Sequence, residues 1–126
     1  MSNDFLKSKI LFLIEQRNSE HPISSVDLWG ELSQMGYLNG QSKAWLGAKV
    51  REYTNESRCN GSRICSNDRG YWLAPKNEQG DNELLDCYGR IEHRCKKMMM
   101  AGRGMLKTVE KDRFSRELFQ EEVKNV

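Results

Sequence analysis

The spacing of apolar residues changes at Asn60 and Gly61, and this change most restricts the folds open to the chain. Before it, apolar residues recur three or four positions apart in three segments, which predicts three amphipathic helices. After it come two short strand-like runs, residues 63–66 and 70–74, joined by Asn67-Asp68-Arg69. Two such runs joined by turn-forming residues predict a β-hairpin. The first part of the chain is therefore expected to be three helices followed by a hairpin.

The three helical segments have recognisable ends. They are expected to cover residues 4–17, 25–36 and 42–55. Ser24 or Ser25 suits the start of the second helix and Ser42 the start of the third, because a serine hydroxyl accepts a hydrogen bond from a free backbone N–H. Gly36 suits the end of the second, because glycine readily adopts the left-handed conformation that closes helices. Ile23, between the first two helices, is expected to make a short strand contact.

The rest of the chain divides into a polar linker, residues 76–82, and a helical extension, residues 83–126, which leaves residues 1–75 as the first domain. Apolar residues of the extension follow a heptad-like spacing: Leu84, Tyr88, Ile91, Cys95 and Met98. Gly102 and Gly104 are expected to break this helix. The spacing is compatible with a homodimer through the extension, while core packing is the alternative explanation for its methionines.

The composition is that of a globular protein without a membrane segment. The chain is 37% apolar and 30% charged, and no apolar run approaches the roughly 20 residues that cross a bilayer. No signal-peptide pattern opens the sequence. A cytoplasmic protein with no membrane partner is therefore expected.

Positive charge is concentrated in two parts of the chain, although the formal net charge is only +2. Residues 41–75 contain six basic and three acidic residues, and residues 90–107 contain six basic residues and one acidic residue. Local fields of this kind attract phosphates, because charges act over about 8–10 Å at ordinary salt. The distribution is compatible with a nucleic acid, an acidic partner or a solvated surface.

The sequence carries no recognised catalytic or metal-binding motif. The four cysteines, Cys59, Cys65, Cys87 and Cys95, are spaced C-x5-C and C-x7-C, unlike the tight pairs of zinc sites. Free thiols are expected, with a zinc-stabilised domain as the alternative. Neither histidine lies beside a serine or cysteine nucleophile motif, and the sequence has no glycine-rich phosphate loop. We therefore expect no enzyme activity and no cofactor.

The order helix, short strand, helix, turn, helix, hairpin is that of a winged helix-turn-helix, an α+β fold of three helices and a two-stranded wing. Residues 50–53 (VREY), 59–61 (CNG) and 63–74 (RICSNDRGYWLA) add a more specific likeness. Through them the chain resembles the winged-helix family found in phage genomes and is similar to the DNA-binding domain of biotin-operon-type repressors. The resemblance covers residues 7–74. Residues 84–106 are similar to the long basic helix that follows the wing in many phage versions.

This resemblance implies double-stranded DNA as the partner, with a role in transcription regulation or replication. The third helix would enter the major groove, and the wing would lie along the backbone or minor groove. The expected DNA-binding residues are Ser42, Lys43, Lys49 and Arg51 in the third helix, with Arg63 and Arg69 on either side of the hairpin turn. Arg94, Lys96 and Lys97 are expected to add phosphate contacts. A protein-interaction role for the same third-helix face is the alternative function.

Overall fold

The chain has an α+β architecture in which helices precede and follow one antiparallel hairpin. The computed structural model describes the backbone of residues 3–124 and the side chains of residues 4–120. In this range lie four helices and a two-stranded sheet: α1 Asn3–Glu15, α2 Ser25–Gln34, α3 Lys43–Cys59, β1 Ile64–Asn67, β2 Gly70–Leu73 and α4 Glu78–Lys124. Two compact units result, Met1–Cys87 and Tyr88–Val126. The predicted order of three helices, hairpin and helical extension is confirmed.

The helix starts follow the serines chosen from the sequence. Ser24 Oγ accepts a hydrogen bond from the Asp27 N–H over 3.1 Å, and Ser42 Oγ accepts one from the Trp45 N–H over 3.1 Å. At the end of α2, Gly36 has a φ of +78°, and the next N–H bonds back to the carbonyl of Leu32 over 3.0 Å. This is the glycine-dependent closure expected there.

The third helix is longer than predicted, because it ends at Cys59 rather than near Asn55. Gly61, with a φ of +88°, closes it in the same way as Gly36 closes α2, and the Ser62 N–H bonds back to the Ser57 carbonyl over 3.0 Å. A helix continues until a residue can satisfy its last carbonyls in a left-handed turn, so the glycine sets the boundary.

The core of the first unit is built from one face of each of the first three helices. Its buried residues are Leu6, Ile10, Ile14, Ile23, Leu28, Leu32, Leu38, Leu46, Val50, Tyr53 and Ile64. The hairpin docks on this core through Ile23, which exchanges backbone hydrogen bonds of 2.9 and 2.8 Å with Tyr71. The predicted strand contact of Ile23 is thereby confirmed. Gly70 lies at the point of closest approach, where a Cβ would overlap the Ile23 carbonyl.

Residues 76–82 do not form the linker that was predicted, because α4 already begins at Glu78. Asn77 caps this helix: its Oδ1 accepts from the Gly80 N–H over 2.8 Å, and its carbonyl accepts from the Asp81 N–H over 2.9 Å. The first turns of α4 then join a second apolar cluster with the hairpin, formed by Cys65, Trp72, Ala74 and Cys87 with Leu84 against it. Leu84 therefore belongs to the first unit's packing.

The expected break at Gly102 and Gly104 is wrong, since α4 is continuous through both residues. A glycine inside a helix costs about 1 kcal/mol relative to alanine, which weakens a helix without ending it. The neighbouring methionines, alanine, leucine and lysine are strong helix formers and offset that cost. No helix among residues 3–124 has the length and apolar character needed to cross a membrane.

Candidate nucleic-acid interface

The α3 helix buries one face and leaves the other open to solvent. Its buried residues are Leu46, Gly47, Val50, Tyr53 and Thr54. At about 100° per residue, the opposite face carries Ala44, Ala48, Glu52, Asn55 and Cys59, all exposed. Lys49 and Arg51 lie two positions apart, so they flank this face on opposite sides. The small alanine side chains let a flat or grooved ligand approach the helix closely.

The N-terminal end of α3 combines unbonded amides with a positive side chain. Ser42 caps the Trp45 N–H, while the N–H groups of Lys43 and Ala44 occupy the first turn, where a helix supplies no acceptor. Lys43 Nζ lies 5.0 Å from the centroid of the Trp29 ring, and Trp29 Nε1 donates to the Gln41 carbonyl over 3.4 Å. The tryptophan thus holds the Lys43 ammonium beside the helix N-terminus, where the helix dipole also favours anions.

Lys49 and Arg51 differ in how much of their charge is available. Lys49 Nζ lies 3.3 Å from Glu52 Oε2. It also lies 5.9 Å from the centroid of the Trp45 ring and 6.0 Å from that of the Tyr53 ring. Its charge is therefore shared with a carboxylate. Arg51 is exposed, and no carboxylate of the described residues lies within ion-pair distance of it.

Arg63 does not lie beside the hairpin turn, as the sequence suggested, but at the open base of the hairpin, just before β1. Its Nε donates to the Ala74 carbonyl over 3.3 Å, and its Nη2 donates to the Pro75 carbonyl over 2.7 Å and to Asp81 Oδ1 over 2.8 Å. Asn67 and Gly70 are paired at the turn, and Ile64 and Leu73 are paired at the other end of the hairpin. Arg63, just before Ile64, therefore lies at the end of the hairpin farthest from the turn. Its guanidinium is engaged within the protein.

Arg69 does lie in the hairpin turn, as predicted. Its backbone N–H donates to Asn67 Oδ1 over 2.9 Å, which shapes the turn. Its guanidinium is exposed and makes one long contact, 3.5 Å from Nη2 to the Glu20 carbonyl. Asp68 beside it is also exposed, so the turn presents one cation and one anion to solvent.

Arg58 holds the hairpin to α3, a role that the sequence did not reveal. Its Nε donates to the Ile64 carbonyl over 3.0 Å and its Nη2 to Ser66 Oγ over 2.9 Å. A third helix that ends near Asn55, as the sequence predicts, places Arg58 in a turn, with no element to point it at the hairpin. The glycine at position 61 was the signal that could have placed it in the last turn of the helix.

Next to Arg58, the second apolar cluster contains two buried thiols. The hydrogen bond between Cys65 and Cys87, followed by burial, raises the pKa of the Cys65 thiol far above its ordinary value. Cys59 and Cys95 are exposed, and none of the four cysteines forms a disulfide bond. Among the described residues, no three His, Cys, Asp or Glu side chains converge as metal ligands would.

The second unit carries the remaining predicted contacts, Arg94, Lys96 and Lys97, all exposed on α4. Lys96 Nζ lies 2.9 Å from Glu92 Oε1. The Tyr88 hydroxyl also bonds to Glu92, and these two partners lower the pKa of the Glu92 carboxyl. The same contacts raise the pKa values of Tyr88 and Lys96. Arg94 and Lys97 have no carboxylate within ion-pair distance among the described residues.

A comparison of the chain with protein-family models, with curated proteins and with solved structures finds no match.

Proposed function

We propose that the Met1–Cys87 unit is a winged helix that binds double-stranded DNA, with α3 in the major groove and the hairpin along the backbone. One observation carries the proposal: Lys49 and Arg51 flank the exposed face of α3, Lys49 engages Glu52 on this face, and the helix begins with first-turn amides that bond to no described residue. The docking of the hairpin through Ile23 and Tyr71 supports the winged-helix assignment, because it places two strands beside the three-helix core. In such a complex, backbone contacts supply affinity and base-edge contacts supply sequence preference.

The predicted DNA-binding residues differ in whether a carboxylate pairs with their positive charge. Lys43, Arg51 and Arg69 are exposed, and no carboxylate of the described residues pairs with them. They are the primary phosphate contacts in this proposal. Lys49 contributes less, since Glu52 offsets its charge. Arg63 acts indirectly, by fixing the base of the hairpin.

Ser42 supports binding in two ways. Its hydroxyl oxygen already caps α3, and the same hydroxyl can still donate its hydrogen to a phosphate oxygen. The N–H groups of Lys43 and Ala44 lie beside it, so one phosphate can receive several donors at this helix end. Arg94 and Lys97 in the second unit are proposed as additional phosphate contacts. A protein of this type would act in transcription regulation or replication.

The test is binding of the full chain to a fluorescent random-sequence duplex, measured by anisotropy across a salt series. Each neutralised phosphate contributes about −0.9 to the log–log salt slope, so the five proposed contacts, Lys43, Arg51, Arg69, Arg94 and Lys97, give a slope of about −4.5. Lys43→Ala, Arg51→Ala and Arg69→Ala should each weaken binding and make the slope less steep by about 1. The double variant of Arg94→Ala and Lys97→Ala should do so by about 2.

Lys9→Ala is the matched control, because it removes one positive charge from α1, outside α3 and the hairpin. It should change affinity little at any salt. No binding at low salt would overturn the DNA proposal and leave the protein-interaction function of the α3 face. An equal loss for Lys9→Ala and Arg51→Ala would show that net charge alone, and no defined surface, attracts the duplex.

A further inference from the structure

The second unit exposes a long apolar stripe on α4. Its members are Tyr88, Ile91, Cys95, Met98, Gly102, Met105 and Val109, spaced alternately three and four residues apart, and we call this stripe the seam. It is longer than the sequence predicted, because α4 passes through the two glycines without a break. Tyr88 is 60% exposed, Met98 67% and Met105 71%. A single helix makes up the described part of this unit, so its own fold covers none of the seam.

The seam is as large as the apolar patches that often have a function in monomeric proteins. From Tyr88 to Val109 it extends about 32 Å at 1.5 Å per residue. With a width of roughly 10 Å, its footprint is on the order of 300 Å², the range in which exposed apolar patches mark interaction sites. Met99 and Leu106, both exposed, widen it on one side.

Charge is separated from the seam around the helix. No charged residue occupies a seam position between Tyr88 and Val109. The cations of this stretch lie mainly on the opposite side at 100° per residue, at Lys96, Lys97, Arg103 and Lys107. Two helices that meet along their seams therefore keep these cations apart and leave them in solvent. A bilayer is a poor occupant, because no Trp or Phe anchor lies in the stretch.

We propose that the seam pairs with the seam of a second copy of this chain, in a two-stranded coiled coil. Alternating spacings of three and four residues are what knobs-into-holes packing requires, and a second copy supplies the same spacing over the same length. Gly102 interrupts the row of large seam side chains, because glycine has no side chain. Arg94 borders the seam, whereas Lys97 lies well away from it, so pairing along the seam leaves the Lys97 contact of the DNA proposal in solvent.

Sedimentation velocity of the full chain across about 1–100 µM tests the dimer, since this range brackets micromolar dissociation constants. Wild type should shift from monomer to dimer. Met98→Glu should raise the dissociation constant about tenfold or more, because it places a charge within the apolar interface. Met100→Glu is the matched control: Met100 is 70% exposed, two residues from Met98 and outside the seam. It should dimerise as wild type does.

Circular dichroism of both variants checks that α4 still forms, and glutamate is as good a helix former as methionine. A wild type that stays monomeric throughout the range would overturn the proposal, as would equal weakening by the two variants.

Discussion

The guanidinium of Arg63 donates to Oδ1 of Asp81 over 2.8 Å and joins the base of the hairpin to the first turn of α4. The same side chain donates to the carbonyls of Ala74 and Pro75, at the end of β2 and just beyond it. One arginine thus closes the hairpin and fixes where the next helix begins. Asn77, which caps that helix, lies between the residues that Arg63 holds.

Arg63→Ala should lower the free energy of unfolding by about 1–2 kcal/mol, measured by urea denaturation, because two backbone carbonyls lose their donor. The ion pair itself adds little, since the Asp81 side chain is 63% exposed. Arg69→Ala removes the same side chain from the exposed turn and should change stability by no more than about 0.5 kcal/mol. Equal losses for the two variants would contradict the clamping role of Arg63.

Gly70→Ala should be strongly destabilising, by about 2 kcal/mol or more, because the new methyl group would overlap the Ile23 carbonyl. The φ of +142° at this residue adds backbone strain for any other amino acid. Gly30→Ala is the opposite case, since the Cβ position in α2 is open and the residue is helical. It should stabilise the protein by about 0.5–1 kcal/mol. Thermal unfolding of both variants measures the difference, and a neutral Gly70→Ala would rule out the close docking of the hairpin.

The features predicted correctly from the sequence are those decided by short-range hydrogen bonds. Ser24 and Ser42 cap helices because each needs only an N–H three residues ahead. Gly36 closes α2 through bonds within the last turn. The strand contact of Ile23 could also be predicted, because a single apolar residue between two predicted helices is expected to be buried by pairing with another element.

The features that were missed depend on contacts between distant residues or on cooperativity. Arg63 reaches Asp81, 18 residues away, and nothing in the local pattern points to that partner. Leu84 fits the heptad spacing, yet it packs in the hairpin cluster. Gly102 and Gly104 lower helix propensity, but a helix already nucleated on both sides extends through them, because each added residue gains a hydrogen bond. Which cations of the candidate interface are paired, as Lys49 is with Glu52, was likewise not visible in the sequence.

Gly104→Ala should strengthen the middle of α4, since the residue is helical and its Cβ position is open. The expected gain is up to about 1 kcal/mol of local helix stability. Ala101 lies three residues earlier and is also exposed, and Ala101→Gly should lower the local helix stability by the same amount. Amide hydrogen exchange of residues 98–110 reads out both changes, with slower exchange in the first variant and faster exchange in the second. Unchanged exchange in both would mean that this stretch is not helical in solution.

The buried Cys65 thiol should make the protein lose stability at alkaline pH. Its hydrogen bond to Cys87 and its burial raise the pKa of Cys65 in the folded state, whereas an unfolded thiol ionises near its ordinary pKa of about 8.5. The contribution of the Cys65 thiol to the free energy of unfolding is complete below that ordinary pKa. It is lost as the pH rises above that value, because only the unfolded state then releases the proton. The slope approaches about 1.4 kcal/mol per pH unit for one thiol.

Urea denaturation of wild type and Cys65→Ala at pH values of about 7, 9 and 10 separates this thiol from other groups that titrate there. Cys65→Ala should be less stable than wild type near neutral pH, because it leaves a small cavity, but it should lose less stability on going to alkaline pH. Cys59→Ala removes an exposed thiol and should follow the wild-type pH dependence. If Cys65→Ala instead falls as steeply as wild type, the alkaline loss arises from other groups, and the Cys65 thiol has no part in it.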